Sequence, residues 1–94
     1  MKEIILNDMK YELIKNERAG YDDEEVKLRV TDYFVPFDYI VGDWAYGKLR
    51  LKGFYDKANK KCKDFNNIEF LDKYIENNCA YNCKYFVLKK SIQK

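Results

Sequence analysis

The sequence contains no histidine. That absence excludes a Ser-His-Asp triad, a Cys-His dyad and any imidazole-ligated metal within a single chain. Only three cysteines are present, Cys62, Cys79 and Cys83, and an odd number does not suit a disulfide framework. The Cys79-x3-Cys83 spacing is wider than a usual zinc pair, and structural zinc normally takes four Cys or His ligands. Small thiols packed like apolar side chains are the expectation, with a redox pair at 79 and 83 as the alternative. No apolar run approaches the ~20 residues of a membrane span. The first residues, MKEIILNDMKYEL, are too charged for a signal peptide, so a cytoplasmic protein without membrane association is expected. Repeats, low-complexity tracts and linkers are also missing.

What is present is a 94-residue chain with 47% hydrophobic and 17% aromatic residues, too many for disorder. A chain of this length forms one modest core, so residues 1–94 read as a single domain. The net charge is only +2, but it is unevenly spread. Residues 1–43 carry 6 basic and 11 acidic groups, and residues 44–63 carry 7 basic and 1 acidic. A basic middle of this kind marks either an anionic partner or a solvated lysine-rich loop.

Local patterns give the order of elements. Glu3–Leu6 and Lys10–Lys15 are short β-prone runs parted by the turn-like Asn7-Asp8-Met9, which reads as a hairpin. Asp22 with Glu25 three residues on has the spacing of a capping box. Val26, Val30, Tyr33 and Phe34 follow on one helical face, and Pro36 ends that helix. A second helix runs from about Ile68 to Cys79, capped by Asn66 with Glu69 and buried through Ile68, Leu71 and Ile75, with Phe70 and Tyr74 widening the stripe. Cys83–Lys89 is the last strand, and its unbroken Tyr85-Phe-Val-Leu88 run suits a central strand covered on both faces. The predicted fold is α+β, in the order ββα-ββ-α-β, with about five strands in a largely antiparallel sheet and two helices.

The stretch 38–55 carries the most information. Two alternating runs meet at Tyr46-Gly47, and glycine supplies the positive φ of a two-residue turn. Pairing about that turn sets Trp44 opposite Leu49, Gly42 opposite Leu51 and Ile40 opposite Gly53, all on a core face. Gly42 and Gly53 leave room there for a large neighbour such as Trp44 or a helix aromatic, or for a ligand. On the other face Asp43 meets Arg50 as a cross-strand ion pair, Val41 meets Lys52 and Tyr39 meets Phe54. That cationic, aromatic face is expected to stand open to solvent. Tyr39, Asp43, Tyr46, Lys48, Arg50, Lys52 and Phe54 are therefore the candidate binding residues.

The central segment Phe37-Asp-Tyr-Ile-Val-Gly-Asp-Trp-Ala-Tyr-Gly-Lys-Leu-Arg-Leu-Lys-Gly-Phe-Tyr-Asp56 resembles the YutD-like family of small Gram-positive bacterial proteins. Tyr11-Glu-Leu-Ile, Gly20-Tyr21 and the ending Asn78-Cys-Ala-Tyr-Asn-Cys-Lys-Tyr-Phe-Val-Leu-Lys-Lys90 resemble it as well. The family often has glycine where this chain has Ala45, which bears on turn geometry. Many members run on past the position of Lys94, so a role of such a tail is expected to be absent here. The resemblance implies a cytosolic bacterial protein and brings no catalytic residues with it.

Three functions compete at this point. A non-catalytic protein-interaction module, homodimerisation through an edge strand included, fits the surplus of aromatic residues. RNA or single-stranded DNA binding fits a strand face that joins cations to stacking rings. An enzyme, the weakest of the three, would need a polar site from Asp43, Tyr46 and Arg50 near Trp44. No catalytic residue, metal or cofactor is expected.

Overall fold

Tyr46 and Gly47 have φ of 54° and 75°. Positive φ at both central residues defines a type I′ turn, whose twist matches that of the strands it joins. The turn therefore fixes the pairing of β3 (Tyr39–Ala45) with β4 (Lys48–Phe54), from Ala45 opposite Lys48 to Tyr39 opposite Phe54. This is the register expected from the sequence.

The computed structural model describes residues 2–6, 9–78 and 84–91. Around the hairpin stand β1 (Lys2–Leu6), β2 (Met9–Glu17) and β5 (Tyr85–Lys90). All neighbours are antiparallel, in the order β1-β2-β5-β3-β4. The α+β expectation of one five-stranded sheet with two helices holds, and β5 is the central strand. Met9 pairs with Leu6 and so belongs to β2, not to the turn; Asn7 and Asp8 lie outside the described residues.

Helix α1 (Asp23–Arg29) begins where expected, with the Asp22 carboxylate accepting the Glu25 amide at 3.2 Å. It ends sooner than Pro36. Val30 is extended, and Thr31 caps a separate 3₁₀ turn over Asp32–Phe34. The break returns Phe34 to the core and turns Tyr33 outward, 69% exposed. The second helix is also divided. Asn67, not Asn66, accepts the Glu69 amide and caps a 3₁₀ turn over Ile68–Phe70, and α2 (Leu71–Asn78) follows.

The sheet has a core on each face. On one, Val26, Val30 and Phe34 pack on Ile4, Tyr11, Ile40, Leu49, Phe86 and Leu88. On the other, Ile68, Leu71, Tyr74 and Ile75 pack on Val41, Phe54 and Val87. Gly42 and Gly53 serve packing, as expected, although the neighbours are different ones. A Cβ at Gly42 would lie 2.3 Å from the Phe86 ring, and one at Gly53 would lie 2.2 Å from the Phe37 ring. Trp44 is half-buried on the α1 side, and its indole N–H donates to the Gly20 carbonyl at 2.7 Å. Cys62 is a half-buried free thiol, more open than the packed thiol expected of it. Cys79 and Cys83 lie outside the described residues.

Candidate functional site

Strand alternation carries Tyr39, Asp43, Arg50, Lys52 and Phe54 to the face opposite Trp44, as the register requires. The expectation that this face stands open is corrected by α2, which roofs it. Phe54 is 1% exposed and meets Tyr74 edge-on, with ring centroids 5.4 Å apart. Tyr39 is half-buried against the same cluster. The Phe54 ring is therefore closed to a ligand, and Tyr39 is only partly open. Burial is also the first cause of the rise of the Tyr74 pKa above its usual value, with the Asp43 charge adding to it.

Asp43 and Arg50 form the expected pair, and in bidentate form. Arg50 Nε donates to one carboxylate oxygen at 3.2 Å and Nη2 to the other at 2.8 Å. Asp43 is 1% exposed. Burying a carboxylate is costly unless charge-assisted hydrogen bonds satisfy it, and Arg50 supplies them from the neighbouring strand. The same hydrogen bonds hold the Arg50 pKa above its usual value. A catalytic grouping of this pair with Trp44 does not assemble, because the two lie on opposite faces of β3. Tyr46 stands fully exposed at the hairpin tip, and Lys48 is exposed beside it.

Lys52 is the candidate residue with a new setting. It is half-buried, and its ammonium sits 5.3, 5.8 and 5.4 Å from the ring centres of Phe54, Phe65 and Tyr74. It marks the boundary between two clefts at the outer margin of β4. One, of about 520 Å³, lies on the α2 side between Phe54, Phe65, Phe70, Lys73 and Tyr74. The other, of about 460 Å³, is lined by Tyr33, Phe37, Leu51, Lys61 and Lys63. Lys52 and Phe65 line both.

Sequence reasoning passed over Phe65 and placed Phe70 in the buried stripe of the second helix, whereas both rings stand open. Phe65 is 72% exposed and Phe70 45% exposed. Phe65 is held by a 3₁₀ turn over Asp64–Asn66, in which the Asn66 side chain accepts the Lys63 amide at 2.6 Å. The turn is tied to the end of β4 on both sides. Tyr55 donates to the Asn66 carbonyl at 2.7 Å, and Ile68 donates to the Tyr55 carbonyl at 3.0 Å. A second anchor is Asp38, whose carboxylate accepts from the Asp56 amide at 2.8 Å and from the Asn59 side chain at 3.0 Å. The lysine-rich segment after β4 is thus a built margin with an aromatic at its end. A phenylalanine among lysines was the available signal. Among the described residues, no three His, Cys, Asp or Glu side chains gather to hold a metal ion. No helix among them is long and apolar enough to cross a membrane.

Comparison with known proteins places this geometry in context. Residues 5–89 match a family model described as "YutD-like: Putative antitoxin YutD-like". A Bacillus subtilis (strain 168) protein described as "Putative antitoxin YutD" is 45% identical over 87 residues, which span 93% of this chain and 96% of the relative. The solution NMR structure of protein yutD from B. subtilis is similar with a TM-score of 0.83 and 42% identity, covering 99% of this chain and 84% of that one.

Proposed function

The chain belongs to the YutD-like family, and on that footing we propose that it is a non-catalytic protein-binding module of the bacterial cytosol. The carrying observation is the pair Phe65 and Phe70, 72% and 45% exposed on one cleft beside the margin of β4. Large rings held in water by a folded turn are unfavourable unless a partner covers them, and aromatic anchors beside cations dominate protein interfaces. The description of the Bacillus subtilis relative as a "Putative antitoxin" supports a binding role. Binding here runs through Lys52, Phe65 and Phe70, with Lys48 and Arg50 on the same strand face as Lys52, and not through Tyr39 or Phe54.

A specific observation favours a second reading, RNA or single-stranded DNA. Lys52, Lys61 and Lys63 join exposed Tyr33 and Phe65 around the second cleft, a set that could neutralise phosphates and stack bases. The test is co-purification from cells with the Phe65→Ser, Phe70→Ser double variant. A defined protein should accompany the unaltered chain and be absent from the variant, while the melting temperature stays nearly the same. Nucleic acid lost in its place would favour the second reading. An identical set of companions for both chains would contradict the assignment of the site.

A further inference from the structure

Strand β4 is the last in the sheet and pairs with β3 alone. Its pairing begins at Ala45 and Lys48, which flank a two-residue turn and so exchange main-chain hydrogen bonds. Antiparallel pairing then alternates, so Arg50 and Lys52 also bond to β3. The main-chain N–H and C=O groups of Leu49 and Leu51 point the other way, toward the outer margin. Among the described residues, that margin is next bridged at Tyr55, by Asn67. Residues 48–52 therefore present a short open edge that ends against Phe65.

The side chains along this edge select what can pair with it. Lys48, Arg50 and Lys52 share the α2 face, while Leu49 and Leu51 share the other. A second copy paired antiparallel about Arg50 would set Lys48 against Lys52 on either side of the Asp43-paired Arg50. Like charges directly opposite are destabilising, and lysines on edge strands prevent self-pairing for this reason. The same row favours acidic side chains on an incoming strand. The surroundings reinforce the preference, since residues 44–63 hold 7 basic groups and 1 acidic. The two clefts lie on opposite sides of the edge, with Lys52 and Phe65 between them. An added strand sends alternate side chains to opposite faces, one set toward each cleft.

We infer that the outer margin of β4 takes up an extended segment of a protein partner, one whose side chains alternate acidic and apolar. The acidic set faces Lys48 and Lys52, on either side of the Asp43-paired Arg50, and the apolar set lies beside Leu49, Leu51 and Phe37. This rests on the protein-binding reading and names the kind of segment bound.

The test uses the isotope-labelled full chain and an end-blocked peptide of alternating Glu and Val. Amide exchange at Leu49 and Leu51 should slow by about tenfold or more at saturating peptide. Affinity should fall as salt rises, and Lys48→Glu with Lys52→Glu should weaken it by about tenfold. An alternating Lys and Val peptide should not bind, and neither should the Glu and Val peptide with N-methylated main-chain amides. Equal binding by the N-methylated peptide, or protection at β1 with none at Leu49 and Leu51, would overturn strand addition. If Leu49 and Leu51 stay unprotected while the Phe65, Phe70 variant still sheds a protein companion, strand addition fails and the protein-binding reading stands. If that variant sheds nothing either, both fail.

Discussion

At Gly42 the ring of Phe86 occupies the space where any other residue would have its Cβ. Both residues are buried on the α1 side, and Phe86 is fully so. Gly42→Ala should therefore cost about 1–3 kcal/mol through overpacking. Urea denaturation should show this cost, and it should shrink in a Phe86→Leu background, where the ring is gone; an unchanged cost would point to the backbone instead. The need for a small residue at 42 was legible because Gly42 interrupts an alternating strand. Its neighbour was not, because Phe86 comes from β5, far along the chain. The Asp43–Arg50 pair was legible for the opposite reason: one turn fixes it. Lys52 lies between, since its strand face could be read but the rings of Phe65 and Tyr74 arrive from elements with no register to β4.

Among the elements, the β3–β4 hairpin was fully legible because its instructions are local. It also holds a residue poorly suited to its place. Tyr46 adopts φ of 54° with its side chain wholly in solvent, so it takes the strain of the left-handed region without making a contact in return. Tyr46→Asn supplies the residue type that a type I′ turn prefers. It should stabilise the protein by about 0.5–1 kcal/mol, seen as a higher denaturation midpoint. A loss of stability would mean that Tyr46 contributes contacts absent from the folded monomer. The helices were legible at their starts more than at their ends. Asp22 announces α1 through its side chain, whereas the stop depends on Val30 turning extended ahead of Thr31. The apolar spacing of Val26, Val30 and Phe34 survives that break, because the 3₁₀ turn brings Phe34 back to the same core. Periodicity thus reported burial correctly and helix length incorrectly.

For the molecule as a whole, the five strands and the central place of β5 followed from short runs, but the layering did not. Each helix announces an apolar stripe without stating which face of the sheet it covers. The Tyr85-Phe-Val-Leu88 run points to a strand covered on both faces, yet charge on the Arg50 and Lys52 face suggests solvent over Tyr39 and Phe54; in the fold α1 and α2 take opposite faces, and both residues lie under a roof. Tyrosines buried or half-buried on both sides have a consequence for pH. Burial raises the pKa of Tyr11, Tyr21 and Tyr74 above the usual value of 10, and for Tyr21 a hydrogen bond to Asp23 adds to the rise. Their neutral forms are favoured by folding, so that stabilisation is complete below pH 10 and is lost as pH rises through the folded-state values. Denaturant midpoints measured across that range should decline above about pH 10. Tyr21→Phe should flatten the decline, and an unaltered slope would assign it to other groups.

The layering also moves the proposed binding surface from the sheet face to the margin of β4, and a photo-cross-linking residue tests that proposal most directly. Placed at position 65 in cells, beside the two clefts, it should yield a discrete adduct to a protein. The same residue at position 28, on α1 and equally open to solvent at 77% exposure, should yield none. Equal adducts from both positions, or none from position 65, would contradict the account.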